Sequence, residues 1–115
     1  MATILHITTR DKWKLSITSG QYSDESLQSE GFIHCSTVEQ LVGTANRIFK
    51  GQADLVVLRI DTSDILSEIA YENLDGGSEK YPHIYGLINH DAVKEVIEFP
   101  PSGDGSFVLP GALQG

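Results

Sequence analysis

One stretch limits the architecture of this chain more than any other. Val38, Leu41, Val42, Ala45, Ile48 and Phe49 recur at the i, i+3, i+4, i+7 spacing that lines one side of an α-helix. Ser36-Thr37-Val38-Glu39 reads as a capping box at its start, and Gly51 as its stop. Asp54 to Asp61 follows as a nearly continuous apolar run, the signature of a strand buried on both faces. That strand is expected at the centre of a sheet.

The rest of the chain reads around that pair. Ala2 to Thr8 alternates as a first strand, and Thr9 caps a short helix with Trp13 and Ile17 on one side, stopped by Gly20. Gln21 to Glu30 is polar and aperiodic and reads as a loop, and Gly31 to Cys35 is a short strand. Glu68 to Leu74 is another strand, closed by the turn Asp75-Gly76-Gly77-Ser78. Tyr81 to Gly86 is extended, because Pro82 disfavours helix before it, and Val93 to Phe99 is the last strand before Pro100-Pro101. Two short helices in the N-terminal half followed by a strand-rich second half predict an α+β fold. Residues 1–100 are expected to form one domain, with 101–115 a Gly/Pro-rich tail whose apolar piece is Phe107-Val108-Leu109.

Composition removes several function classes. Sixteen acidic against eight basic residues give a formal charge of −8, a field that repels phosphate backbones, and Arg10, Arg47 and Arg59 are too scattered to reverse it. General nucleic-acid binding is therefore not expected, whereas a small anion in a local pocket stays open. The longest apolar runs are strand-sized, so no membrane segment is expected. Cys35 is the only cysteine, and no basic n-region precedes the first strand, so a cytoplasmic protein without disulfides is the expectation.

The most informative feature is the placement of His6, His34 and His83 inside apolar strand-like segments. A buried imidazole must find a hydrogen-bond partner or line a wet cavity. Alternation groups His6 with Thr8, His34 with Ser36, and His83 with Tyr85, and Glu72 sits in a neighbouring strand segment. If these strands adjoin, one cleft gathers imidazoles, hydroxyls and a carboxylate. The alternative is three histidines each tied separately to a backbone carbonyl. Ser36 is explained by capping alone, although the helix it opens also offers free N–H groups to an anion. Cys35 points opposite to His34 and cannot pair with it without a bulge, so it reads as core. No metal site is expected, because no pair of histidines or cysteines has ligand spacing. His90 falls in a turn-like segment and reads as exposed.

Three segments, Leu5-His6-Ile7-Thr8, Glu30-Gly31-Phe32-Ile33-His34-Cys35-Ser36-Thr37 and Tyr81-Pro82-His83-Ile84-Tyr85-Gly86, resemble in content and order the bacterial domain-of-unknown-function family 952. Glu39-Gln40-Leu41, Ala45-Asn46-Arg47 and Asp54-Leu55-Val56-Val57-Leu58 extend the likeness over nearly everything from Ile4 to Phe99. One departure is Gly86-Leu87-Ile88-Asn89-His90, where that family has Gly-Pro-Leu and an apolar residue. The resemblance implies an ADP-ribosyltransferase-like split β-sheet that clamps NAD between two small sheets. It also implies the roles: His6 on the first strand holding the adenosine ribose, and Ser36 with Thr37 lying near the nicotinamide side. Glu72 is the best match for the late-strand catalytic carboxylate, and His83 has no counterpart. Thr8, His34 and Tyr85 join the expected binding set, with Glu72 and His83 the expected catalytic pair. The resemblance therefore implies an NAD-dependent transferase or glycohydrolase. The alternatives are a non-catalytic binder of a nucleotide or small anion, and a protein-interaction module using Asp24, Glu25 and Glu30 or the tail. RNA 2′-phosphotransferase chemistry is disfavoured by the acidic surface.

Overall fold

A computed structural model describes residues 2–73 and 77–114. The elements run β1 (Thr3–Thr9), α1 (Arg10–Ile17), β2 (Gln21–Tyr22), α2 (Glu25–Ser29), β3 (Ile33–His34), α3 (Val38–Ile48), β4 (Leu55–Asp61), β5 (Glu68–Glu72), β6 (Tyr81–Tyr85), β7 (Ile88–Asn89) and β8 (Val93–Glu98). The fold is mixed α+β. The turn expected at Asp75 and Gly76, and the strand end at Leu74, lie outside the described residues.

Two three-stranded antiparallel sheets and a two-stranded ribbon organise these elements. In the first sheet β4 lies between β1 and β8, with Thr3 opposite Asp61 and Thr9 opposite Leu55. In the second β6 lies between β3 and β5, and the ribbon pairs β2 with β7. Among the described residues the two sheets are joined by one isolated bridge, in which Leu5 and Ser36 exchange N–H···O bonds of 2.8 and 2.7 Å.

Burial explains the sequence pattern. Val56, Leu58 and Ile60 of β4 face Ile33, Ile84 and Ile88, while Leu55 and Val57 face Leu41 and Ala45 of α3. A strand packed on both faces has no polar side, hence its unbroken apolar run. Each such side chain contributes about 1.5–3 kcal/mol by leaving water. The tail completes the second core: Phe107 is 2% exposed and stacks on Phe99 at 4.8 Å. Asn46 of α3 brackets it, accepting from the Phe107 N–H at 2.7 Å and donating to its carbonyl at 3.4 Å.

Several local expectations need correcting. The stretch from Gln21 to Glu30 is not loop throughout: it holds β2 and the one-turn α2, whose N-cap Asp24 accepts from the Ser26 N–H at 3.2 Å. The cap of α3 is Thr37 rather than Ser36, and the Thr37 N–H is closed by Gln40 Oε1 at 3.0 Å, since the bridge to Leu5 keeps Ser36 in extended pairing. Ile17, at the last position of the eight-residue α1, and Ile48, at the end of α3, are 58% and 56% exposed rather than core. His90 is half-buried, stacked on Trp13 at 4.3 Å. Its Nε2 lies 2.8 Å from Ser16 Oγ, and because the Ser16 hydroxyl donates to the Trp13 carbonyl, the imidazole N–H is the donor. That pair ties α1 to the segment after β7 and is not an activated serine.

Candidate functional site

Two neighbouring pockets with a shared wall, a first and a second lobe, lie beside the bridge between Leu5 and Ser36. The first lobe encloses about 390 Å³ and the second about 380 Å³, each within the range of small-ligand sites. His34, Cys35, Thr44 and Ile48 line both. Burial pushes the Cys35 thiol well above the usual range, so it stays neutral and packs as core.

The first lobe is mostly apolar, with a polar cluster at one end. His6 projects from β1 on the face it shares with Ile4 and Thr8 and is 5% exposed. Its Nδ1 lies 2.6 Å from the His34 carbonyl, which only accepts, so Nδ1 carries a hydrogen. Its Nε2 faces Tyr22 Oη at 3.0 Å and Asp24 Oδ2 at 3.3 Å. Tyr22 Oη lies 2.8 Å from Asp24 Oδ2 and 2.7 Å from Thr8 Oγ1. The phenol has one proton, which serves the carboxylate, and the Thr8 hydroxyl can turn to complete the other contact. The His6 hydrogen bond, followed by its charge and by the Tyr22 and Ser26 donors, holds Asp24 well below the usual carboxylate range against partial burial. Burial drives the Tyr22 phenol far above its ordinary value. Ser36, freed from capping, lies 3% exposed in the same lobe, its Oγ 3.2 Å from Thr44 Oγ1.

The second lobe lies over the outer face of the second sheet. Strand register places His34 opposite His83 and Ala70 opposite His83, so His34, His83 and Glu72 share one face while Ile33 and Ile84 fill the core. Phe32 stacks on the His83 ring at 4.2 Å, and the His34 ring meets it edge-on at 5.4 Å. His83 Nδ1 donates to Glu72 Oε1 at 3.0 Å, and the Tyr85 hydroxyl donates to the same oxygen. The Tyr85 bond, then the His83 bond, lower the Glu72 carboxyl below its ordinary value. Glu72 is thus oriented by two donors, and the second nitrogen of His83 is not consumed by that bond. His34 Nε2 reaches Glu30 Oε2 at 3.0 Å.

Of the residues expected from sequence, His6, Thr8, His34 and Ser36 line the first lobe, and His34, His83 and Glu72 the second. Among the described residues, Thr37 and Tyr85 line neither: Thr37 caps α3, and Tyr85 acts at one remove through Glu72. Sequence reasoning missed Tyr22, Asp24 as a half-buried partner of His6, and the α3 wall of Thr44, Arg47 and Ile48. The Asp24-Glu25-Ser26-Leu27 sequence carried an N-cap signal for Asp24. Nothing in sequence marked the wall, because polar and apolar residues on the rim of an amphipathic stripe look like ordinary surface.

The sequence pattern of the family described as "Protein of unknown function (DUF952)" matches residues 7–96. The chain belongs to this family. Among solved structures it is similar to the crystal structure of protein CC0527 from Caulobacter crescentus, at 28% identity and a TM-score of 0.86, over 96% of this chain and 97% of that one. The solution structure of CC0527 is similar at 29% identity and a TM-score of 0.82, over 95% and 94% of the two chains. No curated protein matches the chain significantly. Among the described residues, no helix is long and apolar enough to cross a membrane, and no three His, Cys, Asp or Glu side chains are grouped to hold a metal ion.

Proposed function

We propose that this chain is a nucleotide-binding domain of ADP-ribosyltransferase-like build, whose cleft takes NAD as substrate for transfer or hydrolysis of its nicotinamide–ribose bond. The observation carrying this reading is the placement of Glu72. It lines one lobe, is fixed by His83 and Tyr85, and that lobe shares His34 and Cys35 with a second lined by His6, Asp24 and Ser36. Two small sheets held by one bridge at Leu5 and Ser36 are compatible with a split sheet closing on a two-part ligand.

The chemistry follows from the groups present. NAD supplies a ribose whose C1′–N bond breaks with its electron pair going to nicotinamide, leaving positive charge on the sugar. Glu72, ionised and pre-oriented, stabilises that charge without reorganising. The acceptor oxygen, water in the hydrolytic case, forms the new bond to C1′ and sheds one proton. His83 donates through Nδ1, so Nε2 is the nitrogen available to receive that proton. At the other end Asp24, held by His6, supplies an acceptor and Ser36 a hydroxyl suited to a ribose diol.

A second reading, a binder without turnover, is favoured by the two donors already satisfying Glu72 Oε1. Calorimetric titration with NAD, paired with a nicotinamide-release assay on wild type and Glu72→Gln, separates the two. Release by the wild type that falls about a hundredfold or more in Glu72→Gln supports the catalytic reading. Saturable binding without release supports the binder, and the absence of both overturns the proposal.

A further inference from the structure

We propose that Arg47 anchors the anionic linkage, a phosphate or diphosphate, of a ligand spanning both lobes. This rests on the reading of the cleft as a nucleotide site and adds to it a residue to which the sequence likeness gave no role.

Arg10 pairs with Glu98 and Arg59 with Glu95, while Lys12 reaches Glu25 and Lys94 reaches Asp64. Among the described residues, the Arg47 side chain alone of the three arginines has no ion pair or hydrogen bond. In a chain of formal charge −8 an arginine left without a carboxylate is unexpected, the more so in a lobe that contains Glu30 and Glu72. Both of those carboxylates are engaged elsewhere, Glu30 with His34 and Glu72 with His83 and Tyr85. The cavity thus holds a guanidinium whose nearby counter-charges are already used.

Its position on the helix sharpens the point. Thr44 and Ile48 are shared by the two lobes, and Thr44, Arg47 and Ile48 stand at i, i+3 and i+4 on one face of α3. Arg47 therefore sits beside the junction, where the link between the halves of a two-part ligand must pass. The apolar first lobe suits a base, and the link between it and the sugar over Glu72 is the part needing positive charge. A planar guanidinium with five donors matches two phosphate oxygens at once, which a lysine does not. The alternative role, favourable charge at the C-terminal end of α3, asks nothing of a ligand and is met equally well by lysine.

The test is calorimetric titration of wild type, Arg47→Ala, Arg47→Lys and Lys14→Ala with NAD, inorganic pyrophosphate and adenosine at low ionic strength. Lys14 is exposed, lines neither lobe, and controls for net charge. The expected result is that Arg47→Ala weakens NAD and pyrophosphate about tenfold or more, Arg47→Lys recovers only part, and adenosine is unaffected in every variant. Wild-type binding of pyrophosphate but not NAD, lost in Arg47→Ala, supports the anchor while removing the NAD reading. NAD binding that is equal in wild type and Arg47→Ala, or weakened as much by Lys14→Ala, overturns the anchor and leaves that reading standing. Failure of both anions to bind wild type overturns both.

Discussion

Replacing Asp24 by asparagine tests whether the polar end of the first lobe is an electrostatic unit or a set of incidental contacts. The substitution keeps shape and removes charge. The carboxylate accepts from the Tyr22 hydroxyl at 2.8 Å and the Ser26 N–H at 3.2 Å and faces His6 Nε2 at 3.3 Å, with its side chain only 18% exposed. A hydrogen bond to a charged group contributes roughly 1.5–3 kcal/mol and a neutral one roughly 0.5–1.5, so the exchange costs about 1–2 kcal/mol at neutral pH. The pH dependence has a definite sign. The folded carboxyl titrates below its ordinary value of 3.8, so its contribution is fully present above that pH and is lost as pH falls from there toward the folded pKa. The asparagine of Asp24→Asn does not titrate as a carboxyl does, so the wild-type advantage should be present at about pH 5 and shrink below about pH 4. Urea unfolding followed by the fluorescence of Trp13, the single tryptophan, reads both quantities. A variant as stable as wild type at pH 7, or a deficit unchanged at pH 3, would refute the reasoning.

Other perturbations bear on the fold and the second lobe. Phe107→Ala, which empties the site against Phe99, should cost about 3–4 kcal/mol in urea unfolding, while Val108→Ala at an exposed neighbour should stay within about 0.5 kcal/mol; equal effects would mean that the tail does not dock. Gly86→Ala drives a Cβ into Ser67 Oγ and to within 2.8 Å of the Ser67 Cβ, and should destabilise by about 1–3 kcal/mol. Gly43→Ala, with open space on α3, should instead stabilise by about 0.5–1 kcal/mol, and thermal melts compare the two directly. Phe32→Leu removes the ring stacked on His83 and, by removing its ring current, should move the NMR resonances of the His83 ring protons more than those of His90, which stacks on Trp13 instead.

The fold class was legible where periodicity and burial coincide. The stripe of α3 and the two-sided apolar run of β4 could hardly pack otherwise, and His34 with Cys35 fell on opposite faces as alternation requires. What was illegible depended on pairing. A two-residue strand such as β2 has no period to detect, so the loop reading hid Tyr22, which long-range pairing with β7 buries completely. The Ser36 reading failed similarly, because two adjacent hydroxyls can both cap a helix and only the bridge to Leu5 decides between them. His90 read as surface because its partners, Trp13 and Ser16, are more than seventy positions away. The histidine cluster was foreseen from residue type, but its carboxylate partners were not, apart from Glu72.

The central claim is that the two lobes act as one site for one ligand. Residue-resolved NMR during an NAD titration, with His6→Ala as control, tests it most directly. The account predicts that resonances of His6, Asp24 and Ser36 shift together with those of Glu72 and His83 along one saturation curve, and that the response is lost in the variant. Shifts confined to one lobe, two curves of different midpoint, or none at saturating NAD would contradict it.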